Sequence, residues 1–141
     1  MTTVEINFGN KTEKKSSKVT DRIKTFEDAC RELQINPGEK LILQNQVSVL
    51  ANDLKSILAY AKLIIIARAL NEGWVPDWSD SNQYKYYPWL EYKSGVGFSY
   101  GGCVVDNALS CVGSRLCFKS KELAKYAAEQ FGEIYNEFFN L

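Results

Sequence analysis

The strongest constraint on the fold is a long run of apolar residues at helical spacing. Leu50, Leu54, Ile57, Leu58, Ala61, Ile65 and Leu70 recur from about Val47 to Asn71, near the roughly 3.6-residue period of an α-helix. The spacing predicts one long helix. Ile64-Ile65-Ile66 widens its apolar stripe, so the helix must be covered on more than one side. Asn71-Glu72-Gly73 ends it, with Gly73 suited to a left-handed cap.

The flanking segments supply the cover. Residues 1–22 are polar, and Asn10–Lys24 carries six Lys/Arg against Glu13 and Asp21. This stretch reads as a flexible basic arm, either merely solvated or docked on phosphate or an acidic partner. Thr25-Phe26-Glu27-Asp28 starts a short helix: Thr25 can cap it and the acids sit at its positive end. Asn36-Pro37-Gly38 stops that helix. Leu41-Ile42-Leu43 fits a strand or the approach to the long helix. Trp74–Asn82 reads as a structured loop. Tyr84–Tyr92 reads as a strand whose Pro88 demands an edge or a bulge, and Lys93-Ser94-Gly95 as a hairpin turn. Val96–Val105 alternates Val96, Phe98, Tyr100 and Val104 on one face. Val112, Ser114, Leu116 and Phe118 predict a third strand. Ser120 caps a final helix over Lys121–Phe139, lined by Leu123, Ala124, Ala127, Phe131, Ile134, Tyr135 and Phe138.

The expected fold is α+β: a three- to four-stranded antiparallel sheet packed on one face by the long central helix and the C-terminal helix, plus the short N-terminal helix. In domain terms, residues 1–22 are the flexible basic arm and 23–141 a single α+β domain. A chain of 141 residues that is 45% hydrophobic can build one such core.

Composition narrows the chemistry. There is no histidine, so Ser-His-Asp and Cys-His nucleophile systems cannot be assembled. Cys30, Cys103, Cys111 and Cys117 contain no Cys-x-x-Cys knuckle; they read as small core residues with free thiols rather than as a zinc site. Seventeen basic residues cancel seventeen acidic ones, which argues against a strongly basic nucleic-acid module. No secretory signal opens the chain, and the apolar stretch Leu54–Leu70 is broken by Lys55, Lys62 and Arg68. The expectation is a cytoplasmic protein that is not an enzyme, with no catalytic residues, no cofactor, no metal and no membrane partner.

The glycines of Gly95–Gly102 match no phosphate-binding fingerprint: no Gly-Lys-Ser/Thr follows, and Tyr100 stands where a dinucleotide motif needs its third glycine. They read as turn and bulge positions. Asp77, Asp80, Glu91 and Asp106 show no spacing that would fix a carboxylate pair, and Asp77 and Asp80 suit a turn. The aromatic belt says more. Trp74, Trp78, Tyr84, Tyr86, Tyr87, Trp89, Tyr92, Phe98 and Tyr100 crowd about one fifth of the chain, more rings than a small interior holds. They either close a second small core under the Trp74–Asn82 loop, form a protein-binding surface, or form a stacking platform for bases. Arg115 either clamps a phosphate or carboxylate bidentately or pairs with Glu91 or another acidic side chain across the sheet.

The runs Ala67–Trp74, Pro76-Asp77-Trp78, Tyr84-Lys85-Tyr86-Tyr87-Pro88-Trp89 and Val112-Gly113-Ser114-Arg115-Leu116-Cys117-Phe118-Lys119-Ser120 resemble small uncharacterised proteins of gut bacteria and their phages, over residues 25–139. The resemblance implies a setting, a phage or mobile-element accessory or virion-associated protein made in the bacterial cytoplasm, and carries over no activity. The expected function is a non-enzymatic protein-interaction module acting through an aromatic-rich sheet surface of Trp74, Trp78, Tyr84, Tyr87, Trp89, Lys85, Arg115 and Lys119. Its partner is a protein, a second copy of the chain included. The alternative is a nucleic-acid or nucleotide binder using stacked aromatics and Arg/Lys.

Overall fold

The computed structural model describes residues 17–37, 51–110 and 114–139. Helices α1 (Val19–Arg22), α2 (Phe26–Glu32) and α3 (Ala51–Leu70) precede a hairpin of β1 (Lys85–Lys93) and β2 (Gly97–Asp106). A 3-10 turn at Ser114–Leu116 then leads to α4 (Lys121–Gln130) and α5 (Gly132–Phe139). The fold is α+β with one antiparallel sheet. The start of the long helix near Val47, the Leu41–Leu43 run and most of the basic arm lie outside the described residues.

Local chemistry sets the helix ends. Thr25 Oγ1 accepts the Asp28 N–H at 3.1 Å, and the Asp28 carboxylate accepts the Thr25 N–H at 3.0 Å, a reciprocal cap that satisfies two orphan donors. Bonds from the Lys24 N–H, Arg31 and Thr25 hold the Asp28 carboxyl below its usual range. α2 ends before the predicted Pro37 stop, where Gln34 turns left-handed at φ 57°. α3 ends as expected, but the left-handed cap spans two residues, Glu72 at φ 49° and Gly73 at φ 83°. Glu72 accepts this uncommon conformation while its carboxylate bridges Arg22 at 2.8 Å and Lys119 at 3.2 Å. The tail of the expected 1–22 arm packs on the domain: Val19 is buried beside Ile23, and the Tyr126 hydroxyl sits 2.8 Å from the carbonyls of both Thr20 and Ile23.

Among the described residues the sheet has two strands, not three or four. Of the third strand expected over Val112–Phe118, Val112 and Gly113 lie outside the described residues, and the rest reduces to a single bridge, in which Tyr86 and Phe118 exchange backbone hydrogen bonds at 3.0 and 2.8 Å. Asn71 explains why that segment needs no further strand. Its side chain donates to the Cys117 carbonyl at 2.9 Å and accepts the Lys119 N–H at 3.0 Å, the two groups a neighbouring strand would otherwise satisfy. One buried amide thus stands in for a ladder partner.

Within the hairpin, the register slips between Trp89 and Leu90: Trp89 faces Gly102 and Leu90 faces Tyr100, leaving Gly101 as the extra residue. A Cβ at Gly101 would come within 3.1 Å of the Glu91 Cβ, so the bulge is built at a residue without one. It breaks the expected row Val96, Phe98, Tyr100, Val104. Past the bulge Cys103 joins the face of Phe98 and Tyr100, and Val104 turns to the other face beside Tyr87.

The C-terminal helix is two helices. Phe131 leaves helical geometry at φ −112°, ψ 27°, next to Gly132, a poor helix former. The Ser120 cap is present, its hydroxyl accepting the Leu123 N–H at 3.3 Å. α4 brings Leu123, Ala124, Ala127 and Phe131 to the main core with Ile66, Ala67, Leu70 and Phe118, while Leu63, Leu116 and Tyr135 form a smaller cluster beside α5. Cys30 and Cys117 are buried and, with Cys103, carry free thiols. Among the described residues no helix is long and apolar enough to cross a membrane.

Candidate functional site

Lys85 opens β1 and is fully buried. Its ammonium donates to the carbonyl oxygens of Asp77, Asp80 (3.2 Å) and Gln83 (2.8 Å). The nitrogen also lies 5.3 Å from the Trp78 ring centroid, a cation–π distance. The Trp74–Asn82 loop is therefore wrapped around one internal cation. Its turns are set by side chains: Asp77 Oδ1 accepts the Ser79 N–H at 2.9 Å and its hydroxyl at 2.6 Å, and Asp80 Oδ1 accepts the Asn82 N–H at 2.8 Å. The Ser79 bonds hold the Asp77 carboxyl below its usual range. Asp77 and Asp80 serve the turn, as their spacing suggested.

This loop, the end of α3 and the 3-10 turn enclose a cleft of about 380 Å³, with Trp74, Trp78, Arg68 and Arg115 in its lining. Both arginines are exposed and both indoles half-buried. Among the described residues neither guanidinium has an ion-pair partner. Glu91, proposed from sequence as the partner of Arg115, sits 3.7 Å from Lys93 instead.

A larger and more apolar groove lies by β1. It measures about 730 Å³ and is lined by rings from three elements, including Tyr60 of α3, Tyr87 and Trp89 of β1 and Phe138 of α5. Consecutive residues Tyr87–Leu90 all reach it, which alternating strand geometry allows where a groove wraps a strand edge. Its floor continues into a run of touching rings. Tyr60 stacks on Phe138 at 5.5 Å, Phe138 meets Phe139 at 5.0 Å, Phe139 meets Phe98 at 4.7 Å, and Phe98 meets Tyr92 at 5.4 Å. The Ser56 hydroxyl pins the end of α5 by donating to the Phe138 carbonyl at 2.6 Å. Polar handles are few: the Tyr87 hydroxyl is within 3.1 Å of Ser110 Oγ, and Tyr135 is buried, which pushes its phenol pKa up.

The eight residues expected on one surface do not lie together. Trp89 (62% exposed) edges the groove, and Tyr84 (56%) is open to solvent. Trp74, Trp78 and Arg115 line the cleft. Lys119 is half-buried and paired with Glu72. One leaves the expected surface: Lys85 is the buried centre of the loop. Tyr87 is 7% exposed, lines the groove and has its hydroxyl 3.1 Å from Ser110 Oγ. Burial follows for Lys85 because three carbonyls converge on it; Tyr87 stands opposite Val104 in the register past the bulge. Sequence reasoning missed Tyr60, Phe139 and Arg68. Tyr60 lies one turn from Ile57 and Ile64, and that spacing was its available signal.

Burial pushes the Cys103 and Cys117 thiols up, and among the described residues no group of three or more Cys, Asp or Glu could hold a metal ion. No family model matches the chain, and neither the curated proteins nor the solved structures contain a match to it.

Proposed function

We propose that the chain is a non-enzymatic protein-interaction module, an accessory protein of a phage or mobile element, and that the groove of Tyr60, Tyr87, Trp89 and Phe138 is its recognition surface. The observation that carries this reading is an open groove of about 730 Å³ lined mainly by rings, with Trp89 62% exposed at its edge. Monomeric proteins seldom leave such an apolar area unused, and exposed tryptophans dominate the energetics of protein contacts. Small-molecule sites add a few convergent polar groups to an apolar lining; here the lining is mainly apolar and the Tyr87 hydroxyl is taken up by Ser110. The occupant this favours is a bulky apolar side chain, aromatic or branched, presented by a partner protein. The phage setting rests on the likeness of the Tyr84–Trp89 and Val112–Ser120 runs.

Panning a displayed random-peptide library against the chain tests the reading. Enrichment of peptides that share a bulky apolar residue, with affinity falling about thirty-fold or more in Trp89→Ala, is the expected result. A library with no enriched sequence, or peptides that bind Trp89→Ala as tightly as the parent, would overturn it. Light scattering after size exclusion adds one arm: a dimer that Trp89→Ala dissociates identifies the partner as a second copy.

A further inference from the structure

The Arg68–Arg115 cleft is separate from the groove, and nothing in the interaction reading uses it. Its lining joins two features. Trp74 and Trp78 offer flat apolar surface, and two exposed guanidiniums border the same space without a carboxylate partner among the described residues. Elsewhere in the fold, arginines are matched: Arg22 with Glu32 and Glu72, and Arg31 with Asp28. Of the described arginines, the two at this cleft are the ones without a carboxylate partner.

We infer that this cleft is a binding site for a nucleotide, its base laid against an indole and its phosphate held between Arg68 and Arg115. Guanidinium forks match phosphate oxygens bidentately, and bases stack on tryptophan whatever their identity. The cleft volume of about 380 Å³ lies at the small end of the roughly 300–1,000 Å³ range of ligand pockets, a size for one nucleotide rather than a long strand. The Lys85 ammonium covers one face of the Trp78 indole, so a base must use the other face or Trp74. The same buried lysine, by gathering the carbonyls of Asp77, Asp80 and Gln83, fixes the loop that carries Trp78. Arg68 stands in the last turn of α3, where the helix end is partially negative. An anion there depends on the guanidiniums and not on backbone N–H groups, so losing either arginine should be felt.

Free nucleotides and single strands offer the same chemistry, and the experiment separates them. The probes are AMP, CMP, GMP and UMP, an oligothymidylate, and inorganic phosphate, each titrated at constant ionic strength while the three indole N–H signals are followed by NMR. The expected result is movement of the Trp74 and Trp78 signals with Trp89 still, and about ten-fold or greater weakening in Arg68→Gln and in Arg115→Gln. Both side chains are exposed, so the variants should keep the parent spectrum elsewhere. Movement with mononucleotides identifies the free ligand; movement with the oligonucleotide alone, with the same arginine dependence, identifies a strand. Still indole signals at millimolar probe overturn the inference. So do arginine variants that bind as well as the parent, and inorganic phosphate that binds as tightly as the nucleotides. A silent groove in the peptide experiment leaves each of these readouts unchanged.

Discussion

The two ends of α3 are built from similar residues and meet different fates. Toward its C-terminus Ile66, Ala67, Ala69 and Leu70 are at most 1% exposed, closed in by Phe118, Ala124 and Ala127. Toward its N-terminus Leu54, Ile57 and Leu58 are 37–38% exposed, and Tyr60 looks into the groove with Phe138 and Trp89. At the closed end the alanines of α4 let that helix approach the hairpin closely. At the open end α5 packs along α3 and brings Tyr135, Phe138 and Phe139, whose rings line the groove and do not cover the whole of the α3 stripe. The same contrast separates the part of the molecule that sustains the fold from the part available for recognition.

This contrast can be broken by mutation. Phe118→Ala at the closed end should cost about 4 kcal/mol, as truncating a fully buried ring does, read by urea denaturation. A cost below about 1 kcal/mol would mean the closed end is not the stabilising one. Lys85→Met should follow at about 3 kcal/mol, because it keeps the stem and strips three carbonyls of a charged donor. Trp78 emission should shift red at the same time, and a variant as stable as the parent would show that the loop stands without its cation. Trp89→Ala at the open end should change stability by less than about 0.5 kcal/mol, the range of ordinary surface substitutions, while removing peptide binding; a large loss of stability would make Trp89 part of the core.

The smallest effect concerns the charges that bind α1 to the end of α3. Arg22, with Lys119, holds the Glu72 carboxyl below its ordinary value of 4.5. A depressed folded pKa stabilises the fold above the unfolded value, and that stabilisation fades as pH falls from about 4.5 through the lower folded pKa. Glu72→Gln should therefore flatten the fall in stability on the acid side, measured by urea melts from neutral pH downward. Parallel curves for the two proteins would show that the Arg22–Glu72–Lys119 bridge is not coupled to folding.

Much of the framework was legible in the sequence because it depends on local signals. The Thr25 and Ser120 caps, the end of α3 at Asn71-Glu72-Gly73 and the turns at Asp77 and Asp80 each follow from one or two side chains and their neighbours. The coarse α+β class followed from the two hydrophobic periods. What escaped depends on contacts far along the chain. Asn71 lies 46 residues from Cys117, and nothing near Val112–Phe118 announces that an amide will replace its strand neighbour. The burial of Lys85 was hidden for a similar reason, since its partners are backbone carbonyls and carbonyls have no letter in a sequence. The aromatic belt was visible as a surplus of rings, but its division between groove and cleft required knowing where the bulge falls.

The Gly101 bulge has a consequence for variation. Residues before it and after it sit half a step out of phase, so the two segments of β2 answer to different masters. Substitutions at Val104 reshape the groove lining, while Phe98 answers to its contact with the tip of α5. The lining can vary at one end of a single strand without disturbing the packing at the other, provided that position 101 keeps its missing side chain.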